Sequence, residues 1–307
     1  VNLPSRAIIT DIIDYAGMFP PAKLSLKDSI DEYAQILRGP KGILVDRLCV
    51  SANSLPEFAS LRAEDTRSLS YATSVIGTVS TSSEAWFADR DRDGELMSRF
   101  DNPPEGNRDI EAYEVSVPDS RNLHRYLEEL QRFQGIEVFV ELPWDDDVPA
   151  AMVAIAETDF ATVKARTGGT HRDSFPTADQ LAQLILQAIH LEIDFKLTAG
   201  LHQPIAHDNL GLAVRHHGFL NILLACSLGA QQDLTRSEIA EILEWDDAET
   251  FRFDGEILYW HGLEVSLEQL SNGRDYFLGF GSCSVDEPIA GLQKLGLLPS
   301  FESTDSR

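Results

Sequence analysis

Four ionisable residues fall at or near the ends of short apolar runs: Glu114, Glu141, Lys164 and Lys196. Lys164 and Arg166 are two apart in one run, so along a strand they share a face. If that face is the interior of a barrel, both point into its mouth. A lysine in a low-dielectric interior loses stability in its charged form, and a second cation beside it depresses its pKa further. Such a lysine is a neutral nucleophile able to form a Schiff base with a carbonyl compound. The expectation is Lys164 as nucleophile, Lys196 as the neighbour that lowers its pKa, Glu114 and Glu141 as proton carriers, and Arg166 as a clamp on an anionic substrate. A structural reading stands beside it, in which the same charges form a balanced ion-pair layer that only closes the core.

Small residues follow the same runs. Gly168 and Gly169 after Thr167, Gly200 after the Lys196 run, and Gly281, Ser282 and Ser284 around Cys283 could turn backbone amides toward an anion ahead of a helix. Glycines that merely make a turn explain the same pattern. His202 follows the Gly200 turn and is counted with the anion-binding residues; with Glu141 it also suggests an alternative, a metal-dependent lyase or hydrolase. His207, His216 and His217 extend that thought, but no HxH or HExxH spacing is present, and no resident metal or cofactor is expected. The run Asp145 to Asp147 reads as negative charge at the start of a helix near Val148.

These residues need a scaffold that brings strand ends together. Strand-length apolar runs occur at Ile13 to Met18, Gly42 to Val50, Leu69 to Ile76, Ile110 to Val117, Ile136 to Leu142, Phe160 to Arg166, Ile193 to Thr198 and Tyr276 to Gly281. Helix-like segments lie between them, at Leu26 to Leu37, Leu55 to Arg62, Glu84 to Phe100, Ser120 to Phe133, Val148 to Ala156 and Thr177 to His190, after a short one from Pro4 to Ile12. Eight strands alternating with helices fit an α/β chain folded as a (β/α)8 TIM-type barrel. An open doubly wound sheet is the runner-up, without the GxGxxG turn that would favour it. The expectation is one barrel domain over 1–307, with a small inserted helix and hairpin subdomain at about 207–272 before the last strand. Helices are expected at His217 to Leu228 and Thr235 to Glu244, and a hairpin around Asp254-Gly255. A second register makes Phe219 to Ala225 the eighth strand instead.

Composition narrows the partners. Fifty acidic residues against 25 basic ones give a formal charge of −25, which repels nucleic-acid phosphates and anionic membrane surfaces. The stretch 157–220 departs from this, with seven acids, five bases and six of the eight histidines. Cations are kept at the expected strand ends, where a small anion could be drawn in. Three distant cysteines, Cys49, Cys226 and Cys283, form no disulfide or zinc pattern, so a reducing cytoplasm is the default. No apolar run reaches membrane-spanning length, and nothing opposes a homo-oligomer.

Against this background a family resemblance emerges over roughly residues 109–297. Asp159-Phe160-Ala161-Thr162-Val163-Lys164-Ala165-Arg166-Thr167-Gly168-Gly169 resembles the D-F-I-K-T-S-T-G strand of deoxyribose-phosphate aldolase, a class I aldolase barrel. Phe195-Lys196-Leu197-Thr198-Ala199-Gly200-Leu201 is similar to that family's F-K-x-x-G-G strand, and Gly279-Phe280-Gly281-Ser282-Cys283-Ser284 to its phosphate turn. The resemblance implies a barrel, a Schiff-base lysine at Lys164 and an Asp-like proton relay at Glu114. Arg166 intrudes after the lysine, and no arginine precedes the phosphate turn. Asp14-Tyr15-Ala16-Gly17-Met18-Phe19-Pro20-Pro21, Lys164 to Gly169 and His217-Gly218-Phe219-Leu220-Asn221 also resemble signatures of a bacterial family of barrel-like proteins, which implies a barrel and no particular activity. The leading expectation is an aldolase-like lyase acting on a small anionic carbonyl substrate. A barrel without catalysis, assembling with a partner through its hairpin and the Tyr259-Trp260 pair, is the expectation from another class.

Overall fold

The structure, a computed structural model, describes residues 7–65, 67, 69–80, 82–100, 110–247, 253–254, 257–260 and 263–299. Eight parallel strands close into a barrel: β1 (Ile13–Tyr15), β2 (Val45–Ser51), β3 (Thr73–Ile76), β4 (Ile110–Ser116), β5 (Glu137–Leu142), β6 (Ala161–Arg166), β7 (Phe195–Thr198) and a closing strand, Phe277–Ser282. Five smaller strands come before that last one: β8 (His207–Asn209), β9 (Val214–His216), β10 (Phe253–Asp254), β11 (Ile257–Trp260) and β12 (Leu263–Ser266), so the closing strand is β13. Around the barrel, each strand from β1 to β7 pairs with the next, and β13 joins β7 to β1. This is a TIM-barrel-like fold, and all eight expected barrel strands are present.

The helices are α1 (Leu26–Arg38), α2 (Leu55–Glu64), α3 (Ser83–Phe100), α4 (Leu123–Leu130), α5 (Val148–Ala156), α6 (Ala178–Leu191), α7 (Phe219–Gln231), α8 (Arg236–Glu244), α9 (Leu267–Ser271) and α10 (Asp286–Lys294). Their starts follow from side chains that satisfy first-turn amides. Thr177 with Gln180, Thr235 with Glu238 and Ser266 with Gln269 each form a reciprocal capping box. Asp147 occupies the N-cap of α5, but its side chain makes no capping hydrogen bond, and Asp145 Oδ1 instead accepts from its amide at 3.0 Å. The acidic run thus shapes the turn before α5.

Strand alternation separates two interiors. Val138 and Val140 on β5, and Tyr113 and Val115 on β4, face the helices and join the large apolar cluster between the two layers. Their neighbours Phe139, Ala112 and Glu114 are equally buried but fall on the other face, inside the barrel. Cys49, Ser74, Lys164 and Lys196 are buried there too. The barrel core is thus polar and charged, while its outer shell is apolar.

The insertion before β13 contains more strand than the sequence suggests. β8 and β9 form an unexpected hairpin, and β10, β11 and β12 a three-stranded antiparallel sheet instead of a simple hairpin. Gly255 of the expected turn, the start of the Pro4 to Ile12 helix and the end of the chain lie outside the described residues. Residues 219–225 belong to α7, which rules out the register that made them a strand. Within β11, alternation parts the Tyr259-Trp260 pair. Trp260 is buried and packs edge-on against Trp245, while Tyr259 faces solvent. No helix among the described residues is long and apolar enough to cross a membrane.

Candidate active site

Register places the two lysines side by side, because Lys164 on β6 pairs with Lys196 on β7. Glu141 on β5 pairs with Lys164 on its other flank. Glu114 reaches across from β4 and decides the electrostatics. Its Oε2 lies 2.8 Å from Lys164 Nζ and its Oε1 2.5 Å from Lys196 Nζ, so one carboxylate separates the two ammonium groups. Lys164 also contacts Glu141 Oε2 at 2.8 Å, and Arg166 Nε meets Glu141 Oε1 at 3.1 Å. At the other end Lys196 is bound to Asp14 on β1. The result is a chain of alternating charge, Asp14, Lys196, Glu114, Lys164, Glu141, Arg166, running across five strands of the barrel.

Several groups hold this chain in place. Ser74 Oγ donates to Glu114 Oε1 at 2.6 Å, and the Arg47 amide to Asp14 Oδ1 at 3.2 Å. The Lys196 ammonium lies 4.7 Å from the centre of the Phe139 ring, within cation-π range. Access increases along the chain: Glu114 and Lys164 expose 2% and 5% of their side chains, Glu141 12% and Arg166 48%. The chain is therefore most open to solvent at its Arg166 and Glu141 end, at the carboxyl ends of β5 and β6.

The charge states are the reverse of the expected ones. Burial opposes a charged lysine at both positions, but the carboxylates around them outweigh it. Glu114 and Glu141 raise Lys164 above the ordinary lysine value, and Asp14 and Glu114 raise Lys196. Burial likewise opposes ionisation of Glu114 and Glu141, and the cations beside them hold both below the usual carboxylate range. The expectation that Lys196 would depress Lys164 fails because Glu114 stands between them and cancels the repulsion. Neither lysine is presented as a neutral amine poised for a Schiff base.

Sequence reasoning missed two members of the cluster. Asp14 lies in the Asp14 to Pro21 motif, to which no chemistry was attached, and Cys49 reads as one more small apolar residue of β2. Asp14, Cys49 and Glu114 are buried, and their ligand atoms all lie within 4.8 Å of one another, the one such set among the described residues. The cluster therefore has the makings of either a metal site or an acid-base site. Burial, with Glu114 and Asp14 next to it, pushes the Cys49 thiol well up, so it is held as a thiol. The Lys196 ammonium already binds both Asp14 and Glu114, and an ion placed there would compete with it directly.

The remaining expected residues lie nearby with other engagements. Gly168 and Gly200 are explained by contact between the loops after β6 and β7. A Cβ on Gly168 would lie 2.7 Å from Gly200 Cα, and Gly200 has φ +77°, a left-handed conformation that favours glycine. Thr167 ties the same loops together, its amide donating to Thr198 O at 2.8 Å and its hydroxyl to Ala199 O at 2.5 Å. Gly169 is exposed beside Ser174, and Gly281 packs on Thr198. Ser282 Oγ donates to Ser284 O at 2.7 Å and accepts from the Ser284 amide at 3.3 Å, so the turn consumes its own polar groups. His202 Nδ1 is buried without a hydrogen-bond partner, 3.7 Å from Glu287, while the Glu141 oxygens contact Lys164 and Arg166, and neither residue of the expected Glu141 and His202 metal pair belongs to the ligand set formed by Asp14, Cys49 and Glu114. Burial lowers the pKa of His202 and, with His207 beside it, takes His216 to about 4. His217 Nε2 is 3.0 Å from Pro176 O, fastening the insertion to the loop before α6.

Compared with family models, curated proteins and solved structures, the chain matches none of them. What stands of the resemblance to the class I aldolases is the eight-stranded parallel barrel. Fold and cluster together define a TIM-barrel-like protein with a buried ionisable centre, an arrangement consistent with enzymatic activity in general.

Proposed function

We propose that this protein is a barrel enzyme of the lyase type that moves a proton on a small anionic carbonyl compound by acid-base catalysis. One observation carries the reading: the alternating chain of three carboxylates and three cations, buried at Asp14 and open at Arg166. Burying so many charges costs free energy that an apolar core would not, which supports a chemical use for them. Arg166 would bind the substrate's anionic group through its free guanidinium edge. Glu141, ionised and hydrogen-bonded to both cations, would take a proton from carbon next to the carbonyl and return it. The Lys164 ammonium would stabilise the oxyanion that forms as that proton leaves, without a covalent bond. Glu114 and Lys196 would keep Lys164 charged and hold the next proton in the chain.

The test is hydrogen exchange on substrate carbon. Small 2-oxo acids and phosphorylated aldehydes and ketones, incubated with the protein in heavy water, should take up deuterium next to the carbonyl. Glu141→Gln should abolish that uptake, and absence of uptake across the set contradicts the proposal. Borohydride added during turnover should trap nothing on Lys164. A trapped adduct would restore the Schiff-base reading, which requires substrate binding to break the Lys164 ion pairs.

A second, metal-dependent reading draws on the Asp14, Cys49 and Glu114 set. It would need Lys196 to leave the two carboxylates it holds. Stoichiometric zinc or iron in the purified protein, lost together with activity on chelation, would favour it over the first.

A further inference from the structure

The buried end of the charge chain is also approached from the opposite side of the barrel. A cavity of about 220 Å³ lies at the amino-terminal ends of the strands. Asp11, Asp46, Arg47, Glu137, Arg274 and Leu278 line its outer part, and Asp14, Phe139 and Lys196 its inner part. Lys196 exposes only 4% of its side chain and is one of the residues that line this cavity. The space is ample for several waters at about 30 Å³ each, and the lining is polar enough to hold them. Arg274 adds to this: Nη2 donates to Thr10 O and Asp11 O at 3.3 and 3.4 Å, while Nη1 is buried with no hydrogen-bond partner.

We propose that this cavity is a proton channel, through which water connects the Asp14 and Lys196 end of the chain to solvent at the amino-terminal face, with Asp46 as the carboxyl group at its entrance. The inference rests on the acid-base reading of the site and supplies what that reading lacks, a route for protons that does not cross the substrate. The transfer balances. When Glu141 carries a proton taken from substrate, Lys164 gives one of its own to Glu114 and accepts that of Glu141. Lys196 then gives one to Asp14 and accepts that of Glu114. Asp14 passes its proton to water in the cavity, and every group regains its starting charge. Each relay makes one ion pair neutral and restores another, and the last step, from Asp14 to water, carries the extra positive charge out of the low-dielectric interior into the cavity.

The entrance group suits the task. Burial, then the negative charges of Asp14, Asp11 and Glu111, outweigh the neighbouring Arg47 and raise Asp46 to about 7. Arg47 Nη1 lies 3.5 Å from Asp46 Oδ2 and 2.9 Å from Glu137, Arg274 also lines the cavity, and Tyr33 donates to the Asp46 backbone carbonyl at 2.8 Å. Asp46 can therefore both give and take a proton near neutrality, whereas an ordinary aspartate could only accept.

The experiment is nitrogen-detected NMR of the full chain labelled at its lysines, measuring exchange of the Lys164 and Lys196 ammonium protons with water. Lys23, Lys27, Lys41 and Lys294 lie at or near the surface and exchange too fast to interfere. In the native protein the Lys196 exchange rate should change through about pH 7, following Asp46. Leu278→Trp fills the cavity and should slow Lys196 at least about tenfold, because exchange then waits on local opening of the barrel, while Lys164 keeps its rate. Asp46→Asn leaves the cavity open and should remove the inflection near pH 7. Unchanged Lys196 exchange in folded Leu278→Trp, equal slowing of both lysines, or an inflection that persists in Asp46→Asn would each overturn the channel. None of these readings uses turnover, so failure of the substrate-exchange test would leave them standing, and their failure would leave Glu141 chemistry intact.

Discussion

The interior of the barrel and the insertion that precedes its last strand bury polar groups in opposite ways. In the insertion, α7 is buried continuously from Phe219 to Leu228, and Asn221 is one of only two polar residues in that run. Asn221 accepts from the Ala206 amide at 2.9 Å and donates to the carbonyls of Ile242 and Trp245, both at 2.8 Å. Every one of those partners is backbone, so Asn221 replaces hydrogen bonds the chain would otherwise lack and fixes how the loop, α7 and α8 meet. Inside the barrel the partners are charged side chains from different strands, and their pairing leaves one end open at Arg166. The first arrangement satisfies a fold. The second holds paired charges with one end open to solvent.

Breaking each region should separate these roles. The largest effect is expected from Glu114→Gln, which leaves two buried ammonium groups sharing a neutral partner and should cost about 3–5 kcal/mol. At roughly 2–4 °C per kcal/mol, the melting temperature should fall by on the order of 10 °C. The pH dependence should change with it. Glu114 and Glu141 have folded values below 4.5, so their contribution is complete above that pH and is lost as the pH falls through the lowered values. In Glu114→Gln, acid unfolding should set in less steeply, as a pH series of thermal melts would show.

Asn221→Ala should cost about 2–3 kcal/mol by leaving buried backbone groups unmet, again visible in a thermal melt. Unlike Glu114→Gln, it should leave the Lys164 and Lys196 ammonium resonances where they are. A shift of those resonances would show that the insertion and the barrel interior are coupled, and would blur the contrast drawn between them.

A smaller effect of opposite sign is expected at Asp46. Its folded value of about 7 exceeds the unfolded 3.8, so the folded state holds a proton the unfolded chain has lost, and stability declines as pH rises between the two. Asp46→Asn removes that cost. It should raise the melting temperature at pH 8 by a few degrees and at pH 5 by less. The smallest effect belongs to the exposed surface: Arg99→Ala breaks the pair with Glu95 at 3.4 Å and should shift the melting temperature by less than about one degree.

The two regions were also unequally legible in the sequence. Barrel strands announce themselves because each is a short apolar run between helical periods, and all eight could be placed from that pattern. Lys164, Lys196, Glu114 and Glu141 stand out as charges within such runs, and the structure brings all four together with Arg166. Their charge states were not legible. Spacing along β6 and β7 puts the lysines abreast, but only the closed barrel shows a carboxylate from β4 reaching between them. Asp14 was hidden because β1 is three residues long, with no helix-strand alternation to mark its inward face, and Cys49 because a buried thiol reads like an alanine. The small strands of the insertion escaped for a related reason: β8 and β9 carry His207, Asp208, Asn209, Arg215 and His216, polar side chains with no strand periodicity that contact one another across the hairpin only once it has formed.

The account turns on the proton of Lys164. In the protein labelled at its lysines, the Lys164 side-chain nitrogen should keep the chemical shift of an ammonium from pH 6 to beyond 10, because its folded value lies above 10.5. A titration between pH 6 and 8 would show a neutral amine at the pH of turnover, and would return the site to covalent Schiff-base chemistry.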